Sequence, residues 1–145
     1  FGYGKASPVK FTCDGEDVSP VIRWDGLPKE TASVVLMMDD PDAPTGIFTH
    51  WIVYNLPPDS TGLEEIIPKQ KTLNNGGFQG RNDFGKYGYG GPCPPAGENH
   101  RYYFRVFALN KKLKQEDGAN RDSLLNAISG KVIDSGEYMG TYKRK

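Results

Sequence analysis

"SVVLMMDDPDAPTGIFTHWIVYNLP", residues 33–57, holds two apolar segments on either side of a stiff acidic turn. The first, "SVVLMMDD" (33–40), is apolar at successive positions. A strand of that kind buries both faces, which predicts a central strand between two packed layers. The second, "HWIVYNLP" (50–57), mixes aromatic and β-branched residues as a strand does. Between them run Asp40-Pro41-Asp42-Ala43-Pro44. Each proline fixes its own φ, removes a backbone donor and biases the preceding residue away from helix. The stretch therefore reads as strand, rigid turn, strand. Asp42 is expected to serve the turn, where Asp commonly accepts from neighbouring backbone N–H groups, and Asp39 to face solvent. Asp40 ends an apolar strand, where an ionised carboxylate needs a specific partner.

Working outward, 18 glycines and 11 prolines punctuate short apolar runs, a pattern of β-rich domains rather than helical bundles. Further strands are expected at "PVKFTC" (8–13), "YYFRVFALN" (102–110) and the closing "EYMGTYKRK" (137–145), whose basic end reads as solvated. One helix is predicted over 120–133, "NRDSLLNAISGKVI", with Asn120 as its cap and Leu124, Leu125 and Ile128 on its apolar face. Gly130 is expected to end or weaken it. Residues 74–101 form a Gly/Pro-rich connection longer than most loops, and loops of that length are commonly functional. The chain reads as one domain, 1–145.

The 18 Lys plus Arg balance 18 Asp plus Glu, so no net field favours nucleic acid or an anionic membrane surface. No apolar run approaches the ~20 residues of a membrane span, and "FGYGKASPVK" (1–10) lacks the regions of a signal peptide. A cytoplasmic location is the expectation, with periplasmic or extracellular sites open. Cys13 and Cys93 could form one bridge or remain two thiols. Together with His50 and His100 they could supply four zinc ligands on count alone, but none sits in a paired metal-ligand spacing.

The two histidines hold equivalent positions. His50 opens the strand after the acidic turn, and His100 opens the strand after the Pro-rich loop. If those strands run in the same direction, both imidazoles converge with Asp40 on one pocket. No nucleophile motif accompanies them, Cys93 being the one thiol near His100. Imidazole N–H groups, a tyrosine hydroxyl and loop amides suit anion binding better. Asp40 then fits as the acceptor that orients one histidine.

In order along the chain come "TCDG" (12–15), "SPVIRW" (19–24), "DPDAPTG" (40–46), "THWIVYNLP" (49–57), "NDFGKYGYGGPCPPAG" (82–97), "HRYYFRVFAL" (100–109) and "GTYKR" (140–144). Together they resemble the phosphatidylethanolamine-binding protein family, in its bacterial and archaeal Raf-kinase-inhibitor-like branch. The resemblance implies a mainly β fold, a β-sandwich of a large antiparallel sheet on a smaller sheet, with a short helix near the C-terminus. It also implies an anion pocket built from Asp40, Pro44, His50, Gly91, Pro92, His100 and Tyr102, with Pro94 as the alternative wall residue and Phe48 also in the wall. Glu98 departs from the pattern and would weaken anion binding; Lys131 is expected outside the pocket. The implied role is a non-enzymatic binding or regulatory module with no cofactor and no metal. Its partner would be a small phosphate-bearing anion or phospholipid headgroup. The alternative is a protein inhibitor of a kinase or serine protease, acting through surface loops.

Overall fold

The computed structural model describes residues 1–145. Its strands are β1 (Ile22–Arg23), β2 (Ser33–Asp40), β3 (Phe48–Leu56), β4 (Gly62–Leu63), β5 (Phe78–Gln79), β6 (Asn99–Leu109) and β7 (Val132–Lys143), with one α-helix, α1 (Arg121–Ile128). The main sheet is antiparallel in the order β5-β3-β2-β6-β7, and β1 pairs with β4 in a second, two-stranded sheet. The protein is mainly β, with two antiparallel sheets and one short helix, as the resemblance implied.

Strand β2 is central and wholly buried. Its alternate residues serve two cores, as a doubly apolar strand requires. Val34, Leu36 and Met38 pack with Trp51, Val53, Tyr102 and Phe104, and the small-sheet residues Ile22 and Leu63 lie against this cluster. Val35 and Met37 face the other way, with Ile52, Tyr54 and Leu109, and α1 covers them with Leu124 and Ile128.

Local chemistry accounts for the departures from the sequence pattern. "PVKFTC" is no strand: Val9–Phe11 forms a single 3-10 turn. Pro8 has no N–H to give a ladder, and the Thr12 hydroxyl donates to the Val9 carbonyl while accepting from Asp14 N–H. Such short side-chain bonds compete with sheet pairing. Asn120 caps α1 as expected, its side chain accepting from Ser123 N–H at 2.9 Å. The helix stops at Ile128, five residues before the predicted end, because Ser129 leaves the helical region at ψ 126° and Gly130 takes a positive φ of 77°. Leu125 lies exposed, since the i, i+4 pair Leu124 and Ile128 takes the buried stripe. Strand β7 then begins at Val132, earlier than the closing segment suggested.

The strand directions set the site. Both β3 and β6 are antiparallel to β2 and flank it. They therefore run in the same direction, and their N-terminal ends meet the C-terminal end of β2, where Asp40 stands.

Candidate functional site

At that edge lies a cavity of about 370 Å³. Asp40, Pro44, His50, His100 and Tyr102 all line it, with Phe48, Phe84, Cys93, Pro94, Pro95 and Arg144. Five of the seven residues that the resemblance assigned to the pocket are thus brought together. Gly91 and Pro92 are not in the lining. Gly91 N–H donates to Asp17 Oδ1 at 2.7 Å, and the Pro92 carbonyl accepts from Cys13 N–H at 3.1 Å. The two residues brace the wall from behind, and its inner surface is Cys93-Pro94-Pro95. Glycine is required at 91 by contact: a Cβ there would collide with the Phe11 carbonyl.

His50 reaches the cavity through a β-bulge. Met38 pairs with Trp51 and Asp39 with Thr49, so β3 carries one residue more than β2 at this point and His50 is left unpaired. A bulge re-aims side chains that strict alternation would send to the opposite face. The freed His50 ring packs edge-on to Tyr102 and Phe84. Its Nδ1–H donates to the Gly90 carbonyl at 2.6 Å. Burial lowers the pKa of His50, outweighing the Gly90 carbonyl and the fields of Asp40, Asp39 and Asp83, so its neutral form is favoured.

His100 is held differently. Its Nδ1 lies 2.7 Å from Asp40 Oδ2 and its Nε2 2.9 Å from Glu98 Oε1. A carboxylate oxygen only accepts, so this arrangement favours the doubly protonated ring, in which both nitrogens donate. Burial alone would depress its pKa, but the hydrogen bonds to Glu98 and Asp40 outweigh it and raise the value. Tyr102 is 1% exposed, and its hydroxyl makes no hydrogen bond of normal geometry, although the Asp40 carboxylate lies near enough to act on it. Its pKa is raised by burial and by Asp40, which keeps the proton on the oxygen.

The acidic turn exchanges two expected roles. Asp40, not Asp42, closes the turn: its Oδ1 accepts from Asp42 N–H at 2.7 Å. Asp42 reaches across to β6, where Arg101 donates to it from its backbone N–H at 2.9 Å, from Nε at 2.9 Å and from Nη2 at 2.8 Å. The Arg101 guanidinium holds the Asp42 carboxyl down at about 2. Asp39, expected in solvent, is buried on the opposite face. It accepts from the Thr49 hydroxyl at 2.8 Å, with Arg121 at 3.7 Å and Arg105 at 3.8 Å.

Cys13 and Cys93 are bonded to each other, with Cα atoms 5.4 Å apart. Neither is then a thiolate, so the conceivable four-ligand zinc set is not formed. Arg144, read from sequence as part of a solvated tail, stands at the cavity rim 3.2 Å from Asp14 Oδ1 and 3.6 Å from Cys93 Sγ. No local signal marks it, because β7 delivers it from the far end of the chain. Lys131 is outside the lining, its Nζ on the Ala127 carbonyl.

A two-sheet antiparallel β fold thus gathers one Asp, two His and one Tyr around a cavity at one sheet edge. The chain belongs to the phosphatidylethanolamine-binding protein family, whose model matches residues 1–143. A UPF0098 protein of Methanothermobacter thermautotrophicus is 50% identical over 137 residues, covering 94% of this chain and 90% of that protein. Among solved structures, a phosphatidylethanolamine-binding protein homologue of Chlamydia trachomatis superposes with a TM-score of 0.90 at 39% identity, over 100% of this chain and 94% of that one. YbcL of E. coli, described as a member of the mammalian family, gives a TM-score of 0.90 at 32% identity, over 99% and 94%. No helix is long and apolar enough to cross a membrane.

Proposed function

We propose that the cavity binds a small phosphate-bearing anion, free or as a phospholipid headgroup, and that the chain is a non-enzymatic binding or regulatory module. The observation that carries this is the Tyr102 hydroxyl, buried without a hydrogen bond of normal geometry on a ring that packs against both histidine rings. Leaving such a group unpaired costs about 1–3 kcal/mol, and a ligand oxygen would accept from it once the lining shifts enough to uncover the oxygen, which has under 1 Å² exposed. His100 Nε2–H becomes a second donor at the same edge when the ligand displaces the exposed Glu98 side chain from it.

Binding rather than catalysis is supported by what the cavity lacks. Cys93 is bridged, and Thr45 is the one aliphatic hydroxyl in the lining, hydrogen-bonded to neither histidine. A stable bridge of this kind belongs to an oxidising compartment or to the cytoplasm of a hyperthermophile, so a cytoplasmic location carries that condition.

The test is histidine NMR with inorganic phosphate between pH 5 and 7. Phosphate should shift the resonances of His50 and His100, and His100→Ala should abolish binding. Unchanged resonances across that range would refute the reading. Phosphoethanolamine and vesicles containing phosphatidylethanolamine distinguish the free anion from the headgroup. Stoichiometric inhibition of a kinase or serine protease that survives loss of both histidines would assign the role to surface loops instead.

A further inference from the structure

The register of β7 on β6 brings a fixed positive charge to the cavity. His100 pairs with Tyr142, and Tyr102 with Gly140. Directly opposed residues share one face of a sheet, and alternate residues of a strand do the same. Position 144, just past the end of β7, continues that alternation, and Arg144 lines the cavity with His100 and Tyr102. Its carbonyl accepts from Gly97 N–H at 2.7 Å, which ties the backbone here to the loop before β6.

Among the lining residues Arg144 is the one side chain whose positive charge is permanent. Burial favours the neutral form of His50. The charge favoured on His100 is already flanked by Asp40 at 2.7 Å and Glu98 at 2.9 Å. Arg144 is less fully engaged. Its Nε donates to Asp14 Oδ1 at 3.2 Å, and its Nη1 meets Cys93 Sγ, a weak acceptor, at 3.6 Å. Nη2 makes no hydrogen bond. The guanidinium is 41% exposed, so its donors are open to a ligand without a group having to leave.

Asp14 is set beside it by the bridge, since it follows Cys13, which is bonded to Cys93 in the cavity wall. Its second oxygen accepts from the Tyr142 hydroxyl at 2.6 Å. Asp14 therefore competes with any anion for the charge of Arg144, through an exposed pair of the kind that contributes little.

We propose that Arg144 is a ligand-binding residue of this cavity, its Nη groups donating to phosphate oxygens of the ligand while Asp14 tempers its charge. The inference rests on the anion reading above. A free phosphate and the diester of a phospholipid headgroup both offer a pair of unesterified oxygens, which the rigid guanidinium fork matches.

The test is calorimetry of the intact, oxidised chain near neutral pH, with inorganic phosphate and separately with glycerophosphoethanolamine. Arg144→Gln should weaken binding on the order of tenfold, through loss of a charged hydrogen bond. Arg144→Lys, which keeps the charge but not the fork, should fall between the two. Asp14→Asn should instead tighten binding roughly twofold to fivefold, the worth of an exposed ion pair. A pair that merely braces the wall would make Arg144→Gln and Asp14→Asn weaken binding alike. Raising ionic strength from about 0.01 M to about 1 M should weaken wild-type binding more than that of Arg144→Gln, because the charge is then screened. Weakening with inorganic phosphate alone assigns the free anion, with glycerophosphoethanolamine alone the headgroup, and with both the shared phosphate; each supports the proposal. Equal affinity of Arg144→Gln and the wild type for every probe the wild type binds overturns it and leaves the pocket standing, as do parallel losses in Asp14→Asn or equal salt dependences. If the wild type binds neither probe, the anion pocket itself is refuted, and this proposal with it.

Discussion

Removing the Cys13–Cys93 bridge with a double alanine variant should cost stability chiefly through the unfolded chain. The two cysteines are 80 residues apart, and closing a loop of that size removes unfolded-state entropy worth roughly 4.5 kcal/mol at 25 °C. The native contacts around the bridge survive its removal. Cys13 N–H still donates to the Pro92 carbonyl, Gly91 N–H to Asp17 and the Tyr89 hydroxyl to the Phe11 carbonyl at 2.6 Å. The variant should therefore fold to the same structure with a midpoint lower by about 9–18 °C, at about 2–4 °C per kcal/mol for a chain of this size. Guanidinium unfolding followed by tryptophan fluorescence measures the difference, with Trp51 fully buried as the reporter. A loss below about 1 kcal/mol would refute the loop-closure reasoning. It would mean that the unfolded chain is already constrained, or that the bridge holds native strain.

Tyr102→Phe should leave stability unchanged or raise it by up to about 1 kcal/mol, since it deletes a buried hydroxyl that makes no hydrogen bond of normal geometry. The same variant should bind phosphate about fivefold to tenfold more weakly; melting and calorimetry on one preparation read both effects. NMR titration should place His100 above 6.5 and His50 below it. By linkage, the His100 contribution to stability is complete below about 6.5 and is lost as pH rises through its folded value. The His50 contribution is present above about 6.5 and is lost as pH falls through its own folded value. Asp40→Asn should lower the pKa of His100 by removing one of its two carboxylates. Asp42→Asn should cost about 1 kcal/mol near neutral pH, the upper range for a surface ion pair. That difference should disappear as pH falls from about 4 through about 2, where the wild-type carboxyl takes up its proton; acid unfolding of both proteins checks it.

Much of the architecture was legible because it rests on short-range pattern. Consecutive apolar residues in "VVLMM" demanded a strand with two covered faces, and β2 is that strand. Asn120 announced the helix start through a bond to a residue three positions away. Equivalent positions of His50 and His100 implied a shared pocket if their strands run together, and pairing of both to β2 makes them do so.

Tertiary structure alone decided the finer roles, because they depend on register and on pairs far apart in the chain. One unpaired residue in β3 turns His50 toward Asp40, and no period-two reading of "FTHWIVY" contains that bulge. Asp40 and Asp42 look interchangeable in a turn until Arg101, 59 residues on, claims Asp42. Arg144 reaches the rim only because β7 returns beside β6 and sets it against Asp14, 130 residues earlier. The sequence by itself determined the elements and the chemistry available to them; long-range closure decided which atoms face the cavity, since a one-residue slip in a strand moves a side chain to the opposite face.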